Sequence, residues 1–364
     1  METLDTPSLI IDADKLRANL RSMAEIASAN GVKLRPHAKT HKIPRIARMQ
    51  LEYGACGITV ATVSEAEVMA RGGIDDIFIA YPLVSPLKLE RAVRLASDVR
   101  LSVGVDSMEG ARRLAEAARR HGVELNVRLE VDTGLARTGA AYEEALPLAR
   151  AIHGLPPLKL TGLYTFRGAL LGGKPTLDRK SAGIEEGRMM AELAERMRAE
   201  GLPAAEVSVG STPTAAYAAS VPGVTEIRPG TYVFQDRMQA AFGVCGLDDC
   251  AAVVLATVVS CPAEDRFVID GGSKTFATDV APGKEPLFLE GFGHIVEVPG
   301  AVLERLSEEH GMVRSPGPHG LSVGDTVRII PNHICSTVNL HNFVYLADGG
   351  RMERLEVAAR GMVQ

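Results

Sequence analysis

The period of the apolar positions changes regularly along the first two thirds of the chain. Over 13–30 they recur at helical spacing, at Leu16, Leu20, Met23 and Ile26, until Gly31 stops the run, which predicts a surface helix. Residues 32–39 then alternate as a strand does. Seven more strand-like runs follow, at 57–61, 77–81, 101–105, 125–131, 160–164, 207–210 and 226–230. Helical patterns rich in Ala, Glu, Arg and Leu fill gaps between them, at 64–71, 108–121, 144–152 and 185–200. Strand–helix alternation makes a parallel sheet. Eight strands fit an α/β fold of the closed (β/α)8 TIM-barrel type better than an open Rossmann sheet, which would want a G-x-G-x-x-G turn after the first strand. After about Leu247 the texture changes to β-branched runs at 253–259, 266–269 and 326–330, broken by Gly, Pro and Asp. The predicted division is therefore a barrel over 1–247 and a β-rich C-terminal domain over 248–364, joined in the turn-rich stretch 243–249.

Bulk properties narrow the function. A length of 364 residues suits a barrel of roughly 250 residues with a smaller partner. The net charge of -5 offers no basic field for phosphate neutralisation, so no nucleic-acid partner is expected. Five irregularly spaced cysteines and the lack of an apolar leader predict a reduced, cytoplasmic protein. No apolar run approaches the roughly 20 residues of a bilayer span, so no membrane association is expected.

The strongest local feature is Arg35-Pro-His-Ala-Lys-Thr-His-Lys42. On an extended strand Arg35, His37, Lys39 and His41 would project together, at the carboxyl end of the first strand, the face where barrel active sites lie. Four cationic or titratable groups make poor barrel filling. A lysine crowded by cationic neighbours gives up its proton more readily and can attack an aldehyde as the free amine, which points to Lys39, with Lys42 as the local rival. Barrels also bind phosphate in the loops after strands seven and eight. Here those loops read Gly210-Ser-Thr-Pro-Thr214 and Gly230-Thr-Tyr232. An aldehyde-binding lysine and a phosphate site together describe a site for pyridoxal 5'-phosphate (PLP). A second constellation, Pro331-Asn-His-Ile-Cys335, ends a β run and would put His333 and Cys335 on one strand face. An imidazole and a thiolate suit Zn²⁺ before Mn²⁺ or Mg²⁺, and two protein ligands leave coordination positions open for catalysis. His341 is a weaker third candidate. Arg137, after the fifth strand, and Arg167, after the sixth in Tyr164-Thr-Phe-Arg-Gly168, could each bind an anionic oxygen.

These segments, with Arg228-Pro-Gly-Thr-Tyr232, resemble the D-threonine aldolase and D-serine dehydratase family of fold-type III PLP enzymes, over about 6–361. The resemblance implies an alanine-racemase-like barrel and β-domain, a homodimer, and a divalent metal beside PLP. Carried over, Lys39 would hold PLP and Arg137 would meet its phenolic oxygen. Ser211, Thr212, Gly230 and Tyr232 would line the phosphate site, and His333 and Cys335 would hold the metal. His37, Tyr164, Arg167, Gly210 and Thr231 complete the set placed at the cofactor. The expected substrate is a D-amino acid with a β-hydroxyl, with Lys39 or His41 removing the α-proton. Aldolases of this group place Asp where this chain has Cys335 and dehydratases place Cys, which tilts the reading toward elimination over retro-aldol cleavage. An amino-acid racemase is the further alternative and would have no use for His333 and Cys335. Aldolases also tend to carry Tyr-His where this chain has Phe166-Arg167, and a guanidinium there predicts a grip on a β-carboxylated substrate such as D-3-hydroxyaspartate.

Overall fold

The computed structural model describes residues 4–364, and the chain divides into two compact bodies. One takes Ser22–Lys39, Pro44–Gly230 and the last three residues, and the other takes the described residues up to Arg21, Thr40–Ile43 and Thr231–Gly361.

In the first body eight parallel strands stand side by side: Lys33–Leu34, Ile58–Val60, Asp76–Pro82, Arg100–Val105, Leu125–Asp132, Leu158–Tyr164, Glu206–Val209 and Glu226–Ile227. The last pairs with the first through Lys33 and Leu34, and a lone parallel bridge between His37 and Thr59 joins the first to the second, so the ring closes. Alternate strand residues such as Ile58, Val60, Ile77, Ile79, Val103, Val127, Leu129, Val207 and Val209 form one apolar cluster with helix residues such as Ala66, Ala92, Leu114 and Ala149. Each buried Val, Ile or Leu among them is worth roughly 1.5–3 kcal/mol, so this outer layer is a main source of stability. The inward set is different in kind. Arg128 spans the interior to Glu226 (2.5 Å), Arg35 reaches Glu226 (2.8 Å) and Asp76 (2.5 Å), and Ser208 donates to Glu226. Gly104 leaves the space that the Tyr164 ring fills, since a Cβ there would come within 2.1 Å of the Tyr164 hydroxyl.

The first strand is shorter than the alternation of 32–39 predicts. Pro36 lacks an N–H for the ladder, and Ala38–Thr40 turns into a single 3-10 segment. The shared face of Arg35, His37, Lys39 and His41 therefore does not form, and Arg35 is committed to the buried ion pairs. Helices at Pro44–Glu52, Pro86–Leu95 and Ala215–Ala219 join those read from the sequence. The opening helix is observed as Ala13–Ala29.

The second body is a nine-stranded sheet in the order Arg266–Ile269, Gly311–Arg314, Val302–Leu306, Gly293–Ile295, Thr326–Pro331, Ala252–Ala263, Ser8–Asp12, Phe343–Asp348 and Arg351–Glu356. Arg266–Ile269 also pairs with Ala252–Ala263, which closes the first six into a barrel. This body is not the simple C-terminal segment expected from 248 onward. Ser8–Asp12 lies between Ala252–Ala263, antiparallel, and Phe343–Asp348, parallel, so the start of the chain is part of its sheet. Among the described residues no helix is long and apolar enough to cross a membrane, and no cysteine is in a disulfide.

Candidate active site

At the carboxyl ends of the barrel strands a cavity of about 370 Å³ is lined by His37, Lys39, Tyr81, Glu130, Arg137, Thr138, Tyr164, Phe166 and Arg228 together with Ala61 and Ala80. Four residues picked out by the sequence, His37, Lys39, Arg137 and Tyr164, are thus brought together. His37 accepts the backbone N–H of Lys39 on Nδ1 (3.3 Å), which steadies the 3-10 turn. The Lys39 ammonium and the Arg137 guanidinium both lie over the Phe166 ring, 5.3 and 5.1 Å from its centroid. Tyr164 donates its hydroxyl to Glu130 (3.0 Å) and meets Arg228 face-on, at 5.2 Å. Thr138 donates to the other Glu130 oxygen. Burial raises the Glu130 carboxyl, and these two donors pull the other way. Arg228 is fixed from behind by Ser208 and by the Thr165 carbonyl.

This lining fits PLP. An amine, a cation near it, an aromatic wall and buried hydrogen-bonding groups converge in a space of ligand size. Glu130, Phe166 and Arg228 were not assigned to the cofactor from sequence. Glu130 did leave a signal, because Arg128 and Glu130 share one face of a strand whose other face is apolar.

Other expected residues lie elsewhere. Gly210, Ser211 and Thr212 form the turn after Glu206–Val209, outside this lining, as does Gly230. Gly210, at φ +83°, lets the turn close. Its N–H goes to Glu186 and that of Ser211 to Thr214 Oγ1 (3.1 Å), so two of the donors expected for phosphate already have acceptors within the protein. Thr231 and Tyr232 fall in a 3-10 segment of the second body, where Tyr232 is buried and the Thr231 hydroxyl lies 3.6 Å from Cys335 Sγ. His41 is fully buried, accepts the Ile43 N–H on Nδ1 and meets Phe234 edge-on, and it is not part of the cavity wall. Arg167 is also withdrawn. Its guanidinium donates to Glu185 and to the Thr133 and Leu170 carbonyls, and it is almost fully buried, so the expected grip on a substrate carboxylate is not available.

In the second body the His333 and Cys335 pair is built differently from the strand face that was expected. The strand ends at Pro331, His333 immediately precedes the short helix Ile334–Val338 without a side-chain cap bond to it, and Cys335 is the helix's second residue. The imidazole hydrogen-bonds both Cys335 and Asp279, the latter from Nδ1 at 2.6 Å. Asp279 also accepts from Ser336 (2.9 Å). A carboxylate holding one ring nitrogen is the usual support of a metal-binding histidine. Burial opposes charge on His333, but Cys335, Asp279 and Asp236 outweigh it and push the imidazolium up to about 11. A thiol and two carboxylates around one imidazole make an anionic setting that fits a divalent cation. His341 is no third ligand here, since its Nε2 is turned to the Thr275 carbonyl (3.2 Å). Among the described residues no three His, Cys, Asp or Glu groups gather to enclose a metal. Asp279, 54 residues from His333, left no local signal in the sequence.

Comparison with known proteins adds what geometry alone does not. The family model "Alanine racemase, N-terminal domain" matches residues 11–238, and "Putative serine dehydratase domain" matches 251–347. The chain belongs to the alanine-racemase-like, fold-type III family of PLP-dependent lyases. Within this family it is similar to the D-threonine aldolase of Arthrobacter sp., at 34% identity over 98% of this chain and 93% of that protein. It is also similar to the D-threo-3-hydroxyaspartate dehydratase of Delftia sp. (strain HT23), at 35% identity over 92% of each. The crystal structure of the Filomicrobium marinum D-threonine aldolase superposes with a TM-score of 0.88 at 30% identity, covering 99% of this chain and 97% of that one. Solved variants of the Delftia dehydratase include a Cys→Ala mutant in the metal-free form and a His→Ala mutant altered two positions earlier, the same spacing as His333 and Cys335.

Proposed function

We propose that this protein is a PLP- and divalent-metal-dependent lyase that eliminates water from a D-amino acid bearing a β-hydroxyl. The carrying observation is that one chain has both Lys39 in a cationic and aromatic cavity and a His-x-Cys pair of the spacing altered in the Delftia dehydratase, whose Cys→Ala mutant was solved in the metal-free form. PLP held by Lys39 would supply an electron sink for a carbanion at Cα. A metal held by His333 and Cys335 would supply Lewis acidity toward the departing hydroxyl.

The chain's own groups divide the remaining work. The Lys39 amine is the base for the α-proton, because His41 is buried beside Phe234 and committed to the Ile43 N–H. Arg137 offers its charge to an anionic oxygen at the cavity wall. Glu130, fixed by Thr138 and Tyr164, holds the Tyr164 hydroxyl in one orientation. Phe166 keeps water from the face shared by Lys39 and Arg137. Breaking the Cα–H and Cβ–O bonds releases water, and hydrolysis of the resulting enamine gives a keto acid and ammonia.

Retro-aldol cleavage is the second reading, favoured by the 34% identity to the Arthrobacter aldolase. Product analysis decides between them. Purified protein with PLP and Zn²⁺ is given D-serine, D-threonine and D-threo-3-hydroxyaspartate in turn. Keto acid and ammonia are expected. Glycine and an aldehyde as the main products would overturn elimination in favour of the aldolase reading, and metal-independent interconversion of enantiomers would favour a racemase.

A further inference from the structure

We infer that Asp236, a residue outside the PLP cavity and not itself one of the metal donors, is the positioning residue that sets His333 and Cys335 as a ligand pair. The inference rests on the metal reading of that pair. Asp236 is completely buried, and its two oxygens are divided between two segments of chain. Oδ1 accepts the N–H of Gln239 (2.9 Å) and Oδ2 accepts the N–H of Ile334 (3.0 Å), so one carboxylate starts both short helices, Arg237–Ala241 and Ile334–Val338.

Ile334 is the residue between the two ligands. Its N–H belongs to the peptide that joins it to His333, so fixing that donor fixes the start of the link from His333 to Cys335. Neighbouring bonds hold the same strip: the Met238 N–H reaches the Asn332 carbonyl (3.2 Å), and Arg237 Nη1 reaches Asn332 Oδ1 (3.1 Å). On the side-chain side, Asp279 takes His333 Nδ1 and the Ser336 hydroxyl. The imidazole is therefore oriented by Asp279 and the backbone beneath it by Asp236. A serine or threonine cap could serve the Gln239 N–H, but its single oxygen could not also serve Ile334 from the other direction. That is the physical reason for a buried carboxylate where an ordinary helix cap would be satisfied by a hydroxyl.

The rival is that Asp236 is a cap and nothing more, in which case its loss lowers stability without touching metal affinity. The full-length, PLP-loaded protein distinguishes the two. Zn²⁺ affinity is measured by competition with a chromophoric chelator, alongside the thermal midpoint and the PLP absorption, for Asp236→Asn, Asp236→Ser, His333→Ala and Cys335→Ala. The serine variant keeps the cap on Arg237–Ala241 and drops the bond to Ile334, so it remains informative where the asparagine variant fails to fold. Both Asp236 variants should bind Zn²⁺ more weakly by on the order of 10–100-fold, as expected for loss of a group that supports a ligand, with the PLP band in place. Unchanged Zn²⁺ affinity in Asp236→Ser, when His333→Ala and Cys335→Ala have lost the metal, would overturn the positioning role alone. Retention of Zn²⁺ by His333→Ala and Cys335→Ala would instead overturn the metal reading and the inference with it.

Discussion

Lys39 and Lys42 lie in one motif but in different surroundings. Lys39 lines the cavity, with Nζ over Phe166, whereas Lys42 is buried, sits at φ +57° and donates Nζ to the Ala359 carbonyl (3.3 Å). Borohydride reduction of the PLP-loaded protein should therefore fix the cofactor to Lys39, read by peptide mass spectrometry, and a label on Lys42 would refute the assignment. Lys39→Ala should fold, because a cavity-wall lysine contributes little packing, and should lack the visible band. Arg167 teaches the opposite lesson. Its place after the sixth strand suggested a substrate contact, yet Glu185 and two carbonyls take both of its terminal nitrogens. Arg167→Leu should cost roughly 2–3 kcal/mol in urea denaturation, less than a fully enclosed ion pair because Glu185 is a third exposed. Its kcat/KM should fall in equal proportion for D-serine and D-threo-3-hydroxyaspartate. A loss confined to the diacid would restore the carboxylate grip.

Within the barrel, charge sits where an apolar filling would be the default, and its pH response divides in two. Burial alone would raise Glu226, but Arg128 and Arg35 outweigh it and hold the carboxyl at about 2. The folded state therefore binds fewer protons than the unfolded one, and this stabilisation is complete above the ordinary value of 4.5 and lost as pH falls toward 2. Glu186, on the helix Arg179–Ala199, behaves oppositely. Burial prevails over Arg167 and Arg228 and pushes it up to about 7, so stability falls as pH rises from 4.5 through 7. Urea midpoints measured across this range should decline less steeply in Glu186→Gln, with the remainder coming from Asp236, which burial pushes up to about 6, and the same slope in both proteins would exclude Glu186 as a source. Glu226→Gln should destabilise at neutral pH by about 3–5 kcal/mol, because it leaves Arg35 and Arg128 buried with weakened partners. The strands and helices of the barrel were legible because burial of one face imposes a period on the sequence. The motif around Lys39 was legible as chemistry but not as shape: Pro36 and the 3-10 turn break the alternation that was to align it, and alternation cannot show which charges a distant strand will claim.

At the scale of the molecule, what stayed hidden was long-range pairing. Ser8–Asp12 runs straight into the opening helix, and nothing local says that it joins a sheet built from residues beyond 250. The same limit hid Asp279 from His333. The resulting bodies keep the two sets of chemical groups apart in composition: Lys39, Arg137 and Tyr164 belong to the barrel body, and His333, Cys335 and Asp279 to the β-rich body. Exhaustive chelation should therefore abolish lyase turnover while leaving the PLP absorption largely intact, and His333→Ala should behave as the chelated protein does. Restoration should be strongest with Zn²⁺, ahead of Mn²⁺ and Mg²⁺, because the Cys335 thiolate favours the softer ion. Full lyase activity after complete metal removal would show that His333 and Cys335 are not needed for elimination. Loss of the PLP band on chelation would show that the metal supports cofactor binding, which the separate composition of the two sets does not provide for.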